Sequence, residues 1–360
     1  MRAAIMTGVD EPMPIEDVTP LDPGPRDVVV RVTASGVCHS DVSMHHGYVG
    51  IPLPAVLGHE GTGVVTEVGR EVRSVKIGDR VIASIFPACG TCFFCVRDQS
   101  NLCEQTDQVG STPRVRRPDG SVATAMVGLG TFAEEMTVDE AMVVKVETDL
   151  PAEQLALIGC GVTTGVGAAL NTARVVPGST VAVIGCGGVG QSVIQGARIA
   201  GAARIIAIDP VELKRKTAEQ LGATDLVDPS DAGADAVAQV RQLTAGRGAD
   251  YAFEVIGLPE TVQQAYAMAR RGGTVVVVGM QRTGSKVTLP GFRLFYDEKK
   301  VLGSVYGSAQ VRRDFSRLIA LVETGRLDIG AMVSRRIKLD EVNLAFQAME
   351  AGEVIRSVIL

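Results

Sequence analysis

Gly185-Cys186-Gly187-Gly188-Val189-Gly190 stands directly after a β-branched run, residues 181–184, and directly before a segment, residues 191–200, that reads as a helix. Few local sequences restrict a fold as strongly. G-x-G-x-x-G between strand and helix asks for a parallel βαβ unit. Gly185 allows the tight turn, Gly187 lets backbone approach a pyrophosphate, and Gly190 lets helix and strand pack closely. Gly188 and Val189 complete the loop, where free N–H groups and the positive helix end would face phosphates. The flanking chain keeps the matching rhythm. Runs at 181–184, 204–208, 226–227, 251–255 and 275–278 read as strands, with helices at 191–200, 213–221 and 234–243. That alternation describes an α/β, doubly wound parallel sheet. Asp209 ends the second strand, 19 residues after Gly190. A carboxylate there accepts hydrogen bonds from ribose hydroxyls and repels a 2′-phosphate, which favours NAD over NADP. A strand-end turn before Pro210 is the plainer role for the same side chain. Cys186 reads as a small buried filler.

Seven cysteines constrain the rest: Cys38, Cys89, Cys92, Cys95, Cys103, Cys160 and Cys186. An odd count, with four packed into residues 89–103, does not suit a secreted disulfide framework. The spacing Cys89-x-x-Cys92-x-x-Cys95-x₇-Cys103 offers four soft ligands and no room for water, a closed structural zinc site. Redox Cys-x-x-Cys pairs are the competing reading. Cys38 lies in Gly-Val-Cys-His-Ser-Asp, His59 in Gly-His-Glu-Gly-Thr-Gly and Cys160 in Gly-Cys-Gly-Val-Thr-Thr-Gly. Two thiolates, one imidazole and an open fourth position make a catalytic zinc pattern. Each residue alone is a weak signal, but the set leaves only Cys186 unassigned.

The first third of the chain reads as short strands at 28–32, 63–68 and 79–82. Near Pro151 the texture turns helical, over 151–169, with a Gly-Cys-Gly interruption. The final stretch, 315–360, is mixed and is expected to return to the first domain. With 360 residues the chain can bury two full cores. Its net charge of −6 gives no basic field for nucleic acid. Arg114, Arg116 and Arg117 read as a solvated loop. Met1 to Met6 is followed at once by Asp10 and Glu11, so no signal-peptide core develops, and apolar runs such as 275–278 are short for a membrane span. A cytoplasmic protein is expected.

Together these segments resemble the zinc-containing medium-chain alcohol dehydrogenase family, over nearly the whole chain. The resemblance implies a GroES-like β-rich catalytic domain (1–161 and 306–360) carrying the zinc lobe (89–103), and a Rossmann NAD-binding domain (162–305). Substrate and nicotinamide would meet between them. Cys38, His59 and Cys160 would hold the catalytic zinc, giving two zinc ions per chain. Asp41 would orient His59, Glu60 would lie behind the metal, and Ser40 would touch the substrate oxygen. Thr164 and Val189 would flank the nicotinamide. Lys214 would join Asp209 near the adenosine ribose, while Arg356 and His39 would serve the phosphates, a surface ion pair being the other role for Arg356. One departure is visible. Many members carry a histidine five residues after the first zinc cysteine to relay the proton, and this chain has Ser43; His45 and His46 nearby read as loop surface. The expected reaction is reversible hydride transfer between a primary alcohol (aromatic, terpenoid or medium-chain) and NAD. A glutathione- or mycothiol-dependent formaldehyde dehydrogenase and a nicotinoprotein are the enzymatic alternatives, and a non-catalytic relative is the remote one. By family position Val49, Ile85, Met126 and Met280 would line an apolar pocket, although core packing selects the same types. The family pairs edge strands into homodimers or homotetramers, and residues 301–306 would be that strand.

Overall fold

The computed structural model describes residues 1–110, 112–230 and 235–360. Contacts divide the chain into two units. The first comprises 1–161, 310–325 and 333–360, and the second 162–309 and 326–332.

Unit 1 is β-rich. Strand β1 (Arg2–Met6) belongs to one six-stranded sheet. A second sheet is built on β2 (Asp27–Gly36), which pairs antiparallel with β3 (Glu60–Val68). Helix α1 (His39–His45) follows β2 directly. β4 (Arg80–Ala83) pairs with β3, β5 (Glu135–Asp139) with β2, and β6 (Val143–Lys145) with β4. The alternation of Val28, Val30, Val65 and Val81 turns one face of this sheet into a buried core with Met136, Val138 and Met142.

The hairpin after the cysteine lobe departs from the sequence reading. Arg114 is buried and pairs with Asp27 at 2.9 Å, and Arg117 makes a two-pronged pair with Glu16 at 2.7 and 2.9 Å. The basic knot is therefore internally neutralised for two of its three arginines, not a solvated loop. Pairs enclosed to this degree lean on both partners, since losing one leaves the other charge poorly solvated.

The helical run Ala152–Thr172 is long and apolar enough to cross a membrane by composition, but 78 % of its most apolar window is buried inside the protein. It is a core helix. The Gly-Cys-Gly interruption does not break it; residues Ile158–Val162 widen into a π-helical turn. Such turns tend to mark functional positions.

Unit 2 is a six-stranded, wholly parallel sheet. Its strands are β7 (Thr180–Ile184), β8 (Arg204–Ile208), β9 (Asp225–Val227), β10 (Ala249–Glu254), β11 (Ala269–Val277) and β12 (Lys300–Gly303). They lie in the order β9-β8-β7-β10-β11-β12. Strand order reverses at β7, and ligands of such sheets bind at the carboxyl end of that strand. Helix α2 (Gly188–Ile199) begins three residues earlier than its sequence suggests, because Gly187 acts as its N-cap. Helix α3 (Glu212–Leu221) ends on Gly222 at φ +118°. Helix α4 (Ala236–Leu243) starts where Asp235 accepts from the N–H groups of Val237 and Ala238; Ala234, the first residue expected in it, lies outside the described residues. Helix α5 (Pro259–Met268) opens on proline, whose missing N–H is no loss at a helix start. A short helix α6 (Gly291–Tyr296) precedes β12.

The chain then returns to unit 1 through α7 (Val311–Glu323), β13 (Val333–Ile337), α8 (Val342–Glu350) and β14 (Arg356–Ile359). β14 adds to β2 antiparallel, at Val358 opposite Gly36. Residues 326–332 belong to unit 2.

Candidate metal centres and nucleotide loop

Three segments of unit 1 converge on one buried cluster. Cys38 caps α1, His59 immediately precedes β3, and Cys160 sits on the π-helical turn. The ligating atoms of Cys38, His59, Glu60 and Cys160 all lie within 4.8 Å of one another, and all four residues are buried. Asp41 organises the cluster. Its carboxylate accepts from the backbone N–H of Cys38 at 2.9 Å and of Gly58 at 3.1 Å, and meets Nδ1 of His59 at 3.0 Å. With Nδ1 turned to a carboxylate, Nε2 is the nitrogen left for a metal. Burial works against a charged His59 ring, but Asp41 outweighs it and raises the imidazole well above its usual value. A hydrogen bond from Cys160 holds the Cys38 thiol well below its usual value, while the same bond and burial hold Cys160 well above it.

Glu60 closes the cluster from behind. Its Oε1 accepts from the N–H of Gly161 at 3.1 Å and faces Arg356 at 3.3 Å, while its Oε2 is buried without a partner. Burial pushes its carboxyl up to about 7, with Arg356 pulling the other way. A Cβ on Gly161 would meet Nη2 of Arg356 at 2.3 Å, so a larger residue there would displace the guanidinium from Glu60. Arg356 is 2 % exposed, which removes the surface ion pair as its role. Its Nη1 donates to Val37 O at 3.1 Å, and its Nε has no partner. Ser40 lies on the first turn of α1, half-buried, its hydroxyl 3.8 Å from Cys38 Sγ. His39 is exposed at the start of the same helix.

The donor set fits zinc. Two sulfurs and one imidazole nitrogen in a dry site are borderline-soft ligands, and the unpartnered Glu60 oxygen is an orphan that a cation would relieve. Among the described residues, Arg356 is the one fixed cation that faces Glu60 behind this anionic donor set.

The second cluster is Cys89, Cys92, Cys95 and Cys103, again within 4.8 Å. Cys89 and Cys95 sulfurs are 3.7 Å apart, Cys92 and Cys103 sulfurs 3.9 Å. The lobe has only two 3₁₀ turns, Cys95–Arg97 and Ser100–Leu102, and it leaves Phe93 and Val96 more than half exposed. Burial raises Cys89, but the N–H groups of Thr91 and Cys92 outweigh it and bring the thiol down to about 6. Burial pushes Cys95 up to about 12. Sulfurs gathered around one point with so little core fit a closed tetrahedral ion that holds the loop.

In unit 2 the glycine loop has the expected shape. Gly185 takes φ +92°, a Cβ on Gly190 would meet Gly185 O at 1.9 Å, and a Cβ on Gly187 would meet nothing within 4 Å. That open side is where a pyrophosphate could lie against backbone. Asp209 is buried; its oxygens accept from Cys186 N and Val211 N, each at 2.8 Å. The turn-forming role is thus present, and each carboxylate oxygen keeps acceptor capacity for a ribose hydroxyl. Lys214 is half-buried on the first turn of α3. Thr164 and Val189 are half-buried; Gly165 packs so tightly that a Cβ there would meet Val189 O at 2.4 Å. Burial raises the Cys186 thiol, which is fully enclosed and suits a filler.

Two residues escaped sequence reasoning. Gln191 Nε2 donates to Cys186 O and Lys214 O, both at 2.8 Å, clasping the glycine loop to α3. Glu254, at the carboxyl end of β10, accepts from Ile256 N, Gly257 N and Thr261 Oγ1. A buried polar residue inside a motif helix, or ending an apolar strand, was the available signal. Conversely, His45 and His46 are not free surface: His45 Nε2 meets Glu11 O at 2.8 Å, and both His46 nitrogens are engaged by Asp10 and Glu350. Met126 is core, packed with Leu57, Phe132 and Phe346.

Comparison with known proteins decides the family. Residues 24–148 match the alcohol dehydrogenase GroES-like domain, and residues 188–324 match the zinc-binding dehydrogenase domain. The NDMA-dependent alcohol dehydrogenase of Amycolatopsis methanolica is 39 % identical, over 100 % of this chain and 98 % of its own. The chain belongs to the zinc-dependent medium-chain alcohol dehydrogenase family. Another relative, the S-(hydroxymethyl)glutathione dehydrogenase of Synechocystis sp., is 37 % identical over 99 % of each chain. Benzyl alcohol dehydrogenase of Acinetobacter calcoaceticus superposes with a TM-score of 0.92 at 30 % identity, covering 99 % of this chain and 98 % of that one. Family membership makes the chain a zinc-dependent oxidoreductase acting on alcohols, built from a GroES-like and a Rossmann-type domain.

Proposed function

We propose that the chain oxidises primary alcohols to aldehydes with NAD, and reduces them in reverse, using one catalytic and one structural zinc ion. The observation that carries this is the buried Cys38, His59, Cys160 cluster with Asp41 fixing the imidazole. When bound, zinc would supply a Lewis acid that eases loss of the alcohol proton, and NAD would supply the hydride acceptor. The protein's own part is positional. Asp41 holds His59, Glu60 and Arg356 balance charge behind the cluster, and Ser40 accepts the alcohol proton. The half-buried Ser43 sits one turn along α1 from Ser40, and His45 and His46 are occupied elsewhere. The proton therefore passes from Ser40 through water or ribose. Cys89, Cys92, Cys95 and Cys103 hold the structural ion. Gly185, Gly187, Gly188, Val189, Gly190, Thr164, Asp209 and Lys214 receive NAD, with His39 and Arg356 assigned to the phosphate side by family position.

Seven free cysteines support a reducing compartment, and we place the protein in the cytoplasm. Exposed Phe292, Phe295 and Tyr296 beside edge strand β12 support a homo-oligomer through that edge, a homodimer or homotetramer.

The test is absorbance of reduced nicotinamide with a panel of primary, secondary and aromatic alcohols, before and after chelation, alongside metal analysis. Chelator-sensitive NADH formation and about two zinc ions per chain, as expected of one open and one closed site, support the reading. The two named relatives favour a second one. If NADH forms only when a thiol and formaldehyde are supplied, the substrate is a thiol adduct; if the purified protein already carries NAD and turns over only with an outside acceptor, it is a nicotinoprotein. Asp209→Ala should raise KM for NAD, and an unchanged value would remove its ribose role.

A further inference from the structure

Unit 2 carries a second opening at the amino ends of its parallel strands, the end of the sheet opposite the Gly185–Gly190 loop. It is a cavity of about 690 Å³, within the size range of small-molecule sites. A large bulge shapes it. Ala249 of β10 faces Ala269 of β11, yet the next pair is Tyr251 with Thr274. Residues 270–273 therefore stand opposite a single residue. Gly272 turns at φ +67° and donates to Asp297 O at 2.7 Å, so Arg270 and Arg271 leave the ladder at the cavity wall. Bulges of this kind re-aim side chains.

The charge at this opening is unbalanced. Arg241, Arg247, Arg270, Arg271, Arg293 and Lys299 line it against one carboxylate, Asp297. Asp297 already serves Arg271 at 3.6 Å and Arg293 at 3.4 Å, and Asp250 takes Arg270 at 2.6 Å. Arg247 and Lys299 have no ion pair among the described residues. Lys299 instead donates to Tyr266 O at 2.7 Å, with its ammonium 4.4 Å from the centre of the Tyr266 ring. Burial lowers its pKa, and Arg241 and Arg293 lower it further while Asp297 opposes them. Tyr266 supplies an independent sign. It is 4 % exposed, lines the cavity, and its buried hydroxyl has no hydrogen-bond partner. Buried tyrosine hydroxyls are normally satisfied, so this one has donor capacity to spare.

We propose that this cavity binds a compact phosphorylated small molecule, held by Arg247, Arg271 and Lys299 and by a hydrogen bond from the Tyr266 hydroxyl. Arginine is suited to this because its fork matches phosphate oxygens in pairs. The site is separate from the nucleotide loop and needs neither zinc nor NAD.

Calorimetric titration of the zinc-loaded, NAD-saturated enzyme tests it, with inorganic phosphate in one arm and ribose 5-phosphate in the other. Saturating NAD keeps the glycine loop filled, so the heat reports the second site. One saturable site per chain is expected, weakened roughly tenfold or more in Arg247→Ala/Arg271→Ala, as loss of charge-assisted hydrogen bonds implies. Tyr266→Phe keeps the ring's packing and should weaken binding several-fold. Tighter binding of the ester identifies a phosphorylated organic ligand, and equal binding identifies free phosphate; both support the site. Absence of saturable heat in both arms, or unchanged affinity in the double variant, overturns it.

Discussion

The two cysteine clusters gather similar atoms by opposite means. Cys38, His59 and Cys160 come from segments up to 122 residues apart, each seated on or against regular structure, buried, and held by Asp41 and the Glu60–Arg356 pair. Cys89, Cys92, Cys95 and Cys103 come from one short loop with two 3₁₀ turns and exposed apolar side chains. In the first, the protein builds the site, so an ion held there would be free to keep an open position. In the second, burial supplies few cross-links, so an ion would have to supply them. On the function proposed above, the same metal chemistry would serve catalysis in one region and folding in the other.

The sharpest way to break this contrast is to remove one ligand from the buried cluster. Cys160→Ala should lower turnover by about 10³-fold or more, the several kcal/mol that a catalytic ion supplies. The variant should stay folded and still bind NAD, as measured by circular dichroism and nucleotide titration. Most activity remaining would show that Cys160 is no ligand.

A subtler change probes whether the protein truly pre-organises that cluster. Asp41→Asn removes the carboxylate from His59, Cys38 N and Gly58 N without altering volume. Losses of orienting partners of this kind typically cost about 10–100-fold in metal affinity or activity. A variant with wild-type kcat and zinc retention would mean that backbone geometry alone holds His59.

Cys92→Ser tests the other region. Its expected effect on kcat is smaller, below about tenfold, because a closed site has no position for chemistry. Its mark should be local: rapid proteolytic cleavage within residues 89–103 and loss of one zinc ion per chain. Resistance equal to wild type would show that the lobe stands without its ion.

How far each region could be read in advance follows the same contrast. The lobe and the glycine loop are legible because their functional atoms are neighbours in the chain, so spacing carries geometry. Cys38, His59 and Cys160 are legible only as three glycine-flanked motifs, since nothing local says that they meet. Relations set by distant partners are not legible at all. The pairing of Arg114 with Asp27 and of Arg117 with Glu16 spans 87 and 101 residues. The Gly159-Cys160-Gly161 interruption reads as a helix break, because a π-helical turn has no signature in glycine content. The bulge at 270–273 is hidden for a similar reason, since Arg-Arg-Gly-Gly reads as a loop before the strand.

The smallest expected effect concerns the frame around the buried cluster. His46 follows α1, and its ring bridges Asp10 and Glu350 of α8. The hydrogen bond its ring donates to Asp10 raises its pKa above the ordinary histidine value, with burial opposing and Glu350 adding to the rise. A folded-state pKa above the unfolded one stabilises the fold fully below about 6.5, the unfolded value. That contribution disappears as pH rises through the raised folded value. Asp10 and Glu350 are both well exposed, so solvent screens the bridge and its contribution is at most about 1 kcal/mol. Denaturant titrations at several pH values should show wild type losing this increment across the neutral range, while His46→Gln loses less. Parallel curves for the two proteins would mean that the buried Asp41 network, not this outer bridge, fixes the position of α1.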